Sequence, residues 1–302
     1  MTDELEAVLP EVTEDRKKVV SFSQYSTWSG CKKKYKLQYI DKVARSGGSI
    51  HTVFGTGIHE TIQTFLKIMY GESKKAALNM NLDKLLYENL ITAFQADQKK
   101  MGGKAPCTKE ELIEFYADGQ NILHYFTGKL NKFYPKQGYE LVAIEYKLEE
   151  EVKPGVVFWG FIDVVLRDKI SGKEIVIDLK TSTQGWSSYK KNDKVGSSQV
   201  LLYKKLYSEK EDIELNDINV EYQILKRKIN PNSEWPIPRI SKFVPANGKP
   251  SVNKAWDSFM EFVDYVFDDN GNLRDGQTYE ANPTKLCDWC IFKEEGQCNS
   301  WR

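Results

Sequence analysis

The periodicity of apolar residues changes at Tyr139, and this change limits the possible folds more than any other feature of the sequence. Between residues 75 and 133, apolar residues recur at the spacing of amphipathic helices. From Tyr139 they alternate with polar residues, as in strands that are buried on one face. Three such segments follow one another, joined by short turns: 139–152, 155–168 and 173–182. A helical segment and two further strands come next, so the order predicts an α/β fold with a central mixed sheet flanked by helices.

Charge divides the chain into a tail and a body. The first 15 residues contain six acidic and no basic side chains. Residues 16–302 contain all 43 basic and 37 of the 43 acidic residues, which leaves a net charge of +6. We therefore expect a flexible acidic tail at 1–19 and a single domain at 20–302. Within this domain we expect three parts: a helical insertion at 60–135, a catalytic core at 139–245 and a C-terminal cysteine cluster at 285–302.

The sequence predicts a cytoplasmic, intracellular protein with no membrane partner. No apolar run approaches the roughly 20 residues that a membrane span needs. The N-terminal stretch "MTDELEAVLPEVTED" lacks the basic flank and the apolar core of a signal peptide. The overall net charge of zero also argues against a protein that coats nucleic acid without specificity.

Two acidic residues lie in strands that are otherwise apolar. Asp163 interrupts "GFIDVV", and in "EIVIDLKTS" Asp178 shares one strand face with Lys180. An exposed strand edge with a surface ion pair is one interpretation of the second stretch. A buried lone carboxylate such as Asp163, however, costs several kcal/mol unless it is paired or binds metal. If the two strands are neighbours, the carboxylates repel each other and a divalent cation relieves the repulsion; oxygen ligands suit Mg²⁺ or Mn²⁺.

This arrangement resembles the PD-(D/E)XK nuclease superfamily, in which an acid on one strand and an acid-x-lysine on the next form the hydrolytic centre. Upstream, "GTGIHE" resembles the first motif of the RecB family within that superfamily, with His59 at the position of a helix-borne metal ligand. Downstream, "QVLLY" matches the Q-x-x-x-Y motif of the same family through Gln199 and Tyr203, which are four residues apart and so share one helix face. The resemblance covers roughly residues 20–300.

The resemblance implies roles for these residues. His59, Asp163, Asp178 and the carbonyl group of Leu179 are expected to hold Mg²⁺ or Mn²⁺, and Lys180 is expected to assist the attacking water. Gln199 and Tyr203 are expected to contact the active site or the DNA backbone. An ordinary structural histidine and a core tyrosine are the alternatives for His59 and Tyr203. Glu145 is a candidate extra ligand because it lies on the strand before Asp163, but we interpret it as a solvent-facing glutamate outside the site.

Four of the five cysteines lie near the two ends of the domain. Cys31 precedes the core, and three follow it in a C-x2-C-x7-C pattern: Cys287, Cys290 and Cys298. CRISPR-associated RecB-like exonucleases and the AddB nuclease domain are similar, with one cysteine before the nuclease core and three after it that bind an iron-sulfur cluster. The resemblance implies a [4Fe-4S] cluster that joins the N- and C-terminal segments, although four thiolates also suit structural Zn²⁺. Cys107 has no counterpart and is expected to be a free thiol.

Together these features predict a metal-dependent deoxyribonuclease. An exonuclease that acts on single-stranded DNA or duplex ends comes first, in recombination, repair, replication or phage or CRISPR DNA processing, and a structure-specific endonuclease comes second. A helicase, a recombinase or a single-strand binding protein is the expected partner, because the chain has no phosphate-binding G-x-x-x-x-G-K loop of its own. The alternative class is a non-catalytic iron-sulfur DNA-binding subunit of a larger nuclease or helicase complex. A restriction enzyme would share the catalytic triplet but not the cysteines or Q-x-x-x-Y.

Overall fold

The structure is a computed structural model of the chain and describes residues 18–43 and 48–300. Most of the acidic tail expected at 1–19 lies outside these residues. The last two residues of that range differ from the expectation, because Lys18 and Val19 belong to strand β1 (Lys18–Val20). This strand pairs in parallel with Val156–Phe158, and Val20 is buried. Backbone hydrogen bonds and apolar burial therefore make this segment part of the folded domain.

A six-stranded mixed sheet forms the centre of the fold. Its other strands follow in chain order: β2 (Tyr139–Lys153), β3 (Val156–Asp168), β4 (Glu174–Ser182), β5 (Ile218–Lys226) and β6 (Ile240–Phe243). Strand β3 pairs antiparallel with β2 along almost its whole length. The other edge of β3 is shared, since β1 pairs with its first residues and β4 with its last. Strand β5 is parallel to β4, and β6 is antiparallel to β5.

The N-terminal helical segment is broken into three parts: α1 (Phe22–Gly30), α2 (Lys32–Tyr35) and a π-helical turn at Lys36–Ile40. The Ser21 side chain accepts the capping hydrogen bond of α1 from the Gln24 N–H group. Cys31 has an extended backbone and separates the two helices. Its Sγ then accepts a hydrogen bond from the Lys34 N–H group and caps α2.

The helical insertion begins earlier than residue 60. Its helices are α3 (Ile50–Gly71), α4 (Lys74–Leu78), α5 (Leu82–Lys100), α6 (Lys109–Gly128) and α7 (Leu130–Phe133). Ser49 starts α3 through a reciprocal pair of cap hydrogen bonds with Thr52. Gly57 lets α5 approach α3 closely, because a Cβ atom at this position would lie 2.7 Å from Leu90 Cδ2. These helices cover one face of the sheet.

The opposite face of the sheet is covered by a second set of helices. Besides α1, this set includes α9 (Gln199–Glu211), which follows the short α8 (Ser188–Asn192), and α10 (Lys249–Val266). The cysteine segment near the C-terminus contains a 3₁₀ helix at Lys285–Trp289 and α11 (Ile291–Glu294). Apolar cores on both faces of one mixed sheet confirm the predicted α/β class. Among the described residues, no helix is long and apolar enough to cross a membrane.

A buried ion pair fastens the insertion to the sheet. Arg227, just after β5, lies with its Nη1 atom 2.6 Å from Oδ2 of Asp118 on α6, and both side chains are 8% exposed. The Arg227 guanidinium also lies over the ring of Phe115, at 3.5 Å from its centroid. Removing one member of such a pair leaves the other charge buried and uncompensated. The pair therefore ties the helical layer to the end of β5.

We predict that Asp118→Ala lowers the free energy of unfolding by about 3 kcal/mol or more, because Arg227 is left buried without its carboxylate. Glu114→Ala is the matched control. Glu114 lies one turn earlier on α6 and pairs with Lys228 and, at 3.9 Å, with Arg227, but it is 54% exposed, and its removal should change stability little. Urea denaturation of both variants measures the difference. Equal losses of stability would contradict the role assigned to the buried pair.

Candidate active site

The two predicted carboxylates meet where β3 and β4 separate. The antiparallel pairing of these strands stops at Val164 and Ile177, and continuing the register by one residue places Asp163 opposite Asp178. The Leu179 N–H group donates a hydrogen bond of 2.6 Å to Asp163 Oδ2 instead of continuing the ladder between β3 and β4. A side-chain carboxylate thus takes the place of a backbone acceptor. Both acids lie in the gap where the two strands separate.

Asp178 is buried and forms an ion pair with Lys180. The side chain of Asp178 is only 3% exposed, which excludes the interpretation of this stretch as an exposed surface pair. Lys180 Nζ lies 2.9 Å from Asp178 Oδ2 and donates a hydrogen bond of 3.2 Å to Oδ1. Burial raises the pKa of Asp178 to about 6; the positive charge of Lys180 opposes this change and the negative charge of Asp163 adds to it. Lys180 is 34% exposed, so its amino group also reaches the surface of the site.

Helix α3 brings His59 to the same two carboxylates. His59 Nδ1 lies 3.7 Å from Asp163 Oδ1. Burial alone would lower the pKa of His59, but the adjacent Asp163 carboxylate outweighs it and raises that pKa above its ordinary value. Burial alone would likewise raise the pKa of Asp163, yet His59, Lys180 and the Leu179 N–H group together hold it below its ordinary value. The pKa of each of these groups therefore depends on the charges of the others.

Two polar atoms of this site have no hydrogen-bond partner among the described residues. They are His59 Nε2, which is buried, and Asp178 Oδ2, whose contact with Lys180 is an ion pair only. An imidazole nitrogen and carboxylate oxygens are ligands that Mn²⁺ and Mg²⁺ accept. The donor chemistry therefore fits such a cation. As they stand, however, no three His, Cys, Asp or Glu side chains in residues 18–43 and 48–300 are close enough together to hold a metal ion.

Helix α9 places Gln199 and Tyr203 on the other side of Asp178. Gln199 Nε2 donates a hydrogen bond of 2.7 Å to the Tyr203 hydroxyl oxygen, as expected for residues one turn apart. Burial raises the pKa of Tyr203, and the negative charge of Asp178 raises it further. Tyr203 also belongs to the apolar core under α9. The tyrosine is therefore a core residue and a neighbour of the site at once.

Glu145 lies next to the site, whereas the sequence interpretation placed it outside. It is exposed, as expected, but Gln63 on α3 donates one hydrogen bond to Glu145 Oε1 and another, of 3.5 Å, to the Asp163 carbonyl oxygen. Burial raises the pKa of Glu145, and the charge of Asp163 adds to this change. Glu145 also has a φ of 52°, a value that side-chain-bearing residues rarely adopt. The signal in the sequence was the hairpin between β2 and β3, whose register places Glu145 opposite Asp163.

We predict that Glu145→Gly is at least as stable as Glu145→Ala. An alanine at positive φ costs about 1 kcal/mol, which glycine avoids. Lys147 is the matched control, because it lies on the same strand and is exposed but has no positive φ. There, the glycine variant should be less stable than the alanine variant by about 0.5–1 kcal/mol. Thermal unfolding of the four variants measures both orders; the same order at both positions would refute the strained backbone at Glu145.

The four predicted cysteines line one pocket between the ends of the domain. Cys31 enters it from the junction of α1 and α2, and the other three come from the C-terminal segment: Cys287, Cys290 and Cys298. Backbone N–H groups donate to two of the sulfur atoms, from Asn282 to Cys31 at 3.5 Å and from Thr284 to Cys287 at 3.4 Å. Cys107 lies elsewhere, packed against the core of the insertion. The four cysteines that the sequence grouped therefore line the same pocket, and the fifth lies apart from it.

A mixed sheet flanked by helices, with two acids and a lysine where two adjacent strands separate, is the arrangement expected from the sequence. The chain matches the family model of the PD-(D/E)XK nuclease superfamily over residues 19–295. It therefore belongs to this superfamily, whose members are typically nucleases, and DNA is the substrate class that this membership implies. A comparison with curated proteins gave no match for the chain.

Proposed function

We propose that the protein is a Mg²⁺- or Mn²⁺-dependent deoxyribonuclease of the RecB type that removes nucleotides from single-stranded DNA or from duplex ends. The observation that carries this proposal is the convergence of Asp163, Asp178 and Lys180 at the point where β3 and β4 separate. Membership of the nuclease superfamily supports phosphodiester hydrolysis. The unpartnered nitrogen of His59 beside two carboxylates supports a bound cation.

Each site residue receives a role from its position. His59, Asp163, Asp178 and the Leu179 carbonyl group would hold the cation, which when bound polarises a phosphate and lowers the pKa of a water molecule. Lys180 holds an amino group at the rim of the buried carboxylates, where it can orient the attacking water and offset negative charge that develops on the phosphate. Gln199 and Tyr203 line the site on the side of α9, where they would position the DNA strand that is cut.

We predict that Asp178→Asn and Lys180→Gln each reduce cleavage of end-labelled DNA by at least about 100-fold in Mg²⁺ or Mn²⁺, because each removes a charge from the reacting centre. The matched control is the surface ion pair of Asp217 and Lys173, which immediately precede β5 and β4 and have their charged atoms 3.6 Å apart. Asp217→Asn and Lys173→Gln should cleave like the unchanged protein. Circular dichroism checks that all four variants are folded.

The same assay separates the proposed function from its rivals. Shortening of labelled strands from one end, with closed circular DNA left intact, is expected for an exonuclease; cuts within circular DNA would show an endonuclease instead. Cleavage that persists in both Asp178→Asn and Lys180→Gln would overturn the assignment of the site. A protein that binds DNA but cuts none of these substrates in either metal would be the non-catalytic subunit. We place the activity in recombination, repair, replication or phage or CRISPR DNA processing, with a helicase, recombinase or single-strand binding protein as partner.

We also propose that Cys31, Cys287, Cys290 and Cys298 bind a [4Fe-4S] cluster, with structural Zn²⁺ as the alternative. Four cysteines that line one pocket support this assignment, because four thiolates are the usual ligands of such clusters. N–H groups directed at two of the sulfur atoms are favourable for thiolate charge. The metal would join two segments that are far apart in the sequence, so its binding energy would contribute to folding.

We predict that the anaerobically purified protein contains about four iron atoms per chain and has a broad visible absorption band at about 400 nm. Cys31→Ser should lose most of this iron and unfold at a lower temperature, since one ligand and the link between the two segments are lost. Cys107→Ser is the matched control and should keep its iron, because Cys107 lies outside the pocket. Zinc in place of iron would identify the alternative metal, and full metal content in Cys31→Ser would exclude Cys31 as a ligand.

A further inference from the structure

A groove of about 420 Å³ lies on the face of the domain where α9 and α10 pack. One wall is the connection from α8 to the start of α9, and the others are the segment after β6 and the first half of α10. Three lysines line the groove: Lys191, Lys194 and Lys254. Its described lining contains no acidic side chain, and most of the remaining surface is apolar, with Leu201, Phe243 and Ala255 among its residues. The charged side chains that line the groove are thus all positive, and most of the remaining lining is apolar.

The groove adjoins the candidate active site through the chain itself. The segment 183–198 leaves the end of β4 two residues after Lys180 and returns to the site at Gln199. Lys191, on this segment, places its Nζ 5.8 Å from the ring centroid of Phe243 in the groove. Leu201, two residues after Gln199 on α9, also lines the groove. The segment that links Lys180 to Gln199 therefore also forms part of the groove.

An aromatic ring lines the groove beside one of these lysines. Phe243 lines the groove and is only partly buried, with its inner face stacked on Tyr222 at an interplanar angle of 12°. Exposed aromatic faces beside lysines suit a strand whose bases are free to stack while its phosphates meet amino groups. A duplex would present only phosphates to this lining, because its bases are paired and stacked inside.

We propose that this groove binds a single-stranded polynucleotide that extends from the active site, with its phosphates on Lys191, Lys194 and Lys254 and its bases against the apolar lining, including Phe243. The inference deepens the proposed function, since it names the part of the substrate that lies beyond the cleaved bond. It does not depend on cleavage, because the groove would hold the strand whether or not the bond is cut.

The test is a binding measurement in EDTA, so that no strand is cut. Fluorescence anisotropy reports the Kd of the full-length protein for a labelled oligothymidylate of about 20 nucleotides, longer than the roughly 4–16 nucleotides that single-strand binding folds cover. For the triple variant Lys191→Gln, Lys194→Gln and Lys254→Gln we expect a Kd at least about tenfold higher. The dependence of log K on log salt should also become less steep by about 2, since each lost phosphate contact on a single strand contributes about 0.7.

A control variant removes the same charge elsewhere: Lys75→Gln, Lys104→Gln and Lys109→Gln, three exposed lysines of the helical insertion. It should bind within about twofold of the unchanged protein. Equal weakening in both triple variants, or no weakening in the groove variant, would overturn the groove assignment, as would a groove variant that loses duplex binding but keeps single-strand binding. If the groove variant loses binding while the unchanged protein cuts no DNA in Mg²⁺ or Mn²⁺, the groove assignment stands and the nuclease assignment fails.

Discussion

The pairing of β3 and β4 stops at Val164 and Ile177, and the rest of the site depends on where it stops. On this edge of β3, β1 pairs with the first residues and β4 with the last, so residues 159–163 have no neighbouring strand there in the described part of the chain. Backbone groups next to such a gap still need partners. Asp163 supplies one by accepting the hydrogen bond of the Leu179 N–H group. The Asp163 carboxylate thus has a structural role in the sheet, as a hydrogen-bond acceptor, apart from any role in chemistry.

Side chains from both helical layers lie beside the same gap. His59 approaches Asp163 from α3, on the face covered by the insertion, whereas Gln199 and Tyr203 belong to α9 on the opposite face. In a continuous sheet these layers would be separated by the strands. Both faces are apolar and exclude water, so charges at the gap interact strongly with each other. This explains why the pKa values of His59, Asp163 and Asp178 all depend on one another.

The sequence predicted those features that depend on local periodicity. The strands from Tyr139 to Ser182, the shared face of Gln199 and Tyr203 and the neighbouring acids of two hairpin-linked strands all follow from repeats of two or four residues. The features that it missed depend on distant partners. Lys18 forms a strand only because Val156 is there to pair with it, and Glu145 becomes part of the site through Gln63, 82 residues away. No local pattern marks the extended backbone of Cys31, which breaks a segment of otherwise helical residues.

The cysteine segment near the C-terminus has little apolar burial to hold it in place. Leu286 and Trp289 are 77% and 86% exposed, and Phe292 is its one fully buried large side chain among the described residues. Its links to the N-terminal segment are few hydrogen bonds, such as Asn282 Nδ2 to the Gly30 carbonyl oxygen at 3.1 Å. A segment that buries so little surface gains little from the hydrophobic effect against the entropy of ordering it. Four cysteines in one pocket are the feature that can offset this entropy, because a metal bound between them would link both segments covalently. The proposed cluster would therefore also stabilise the order of this part of the fold.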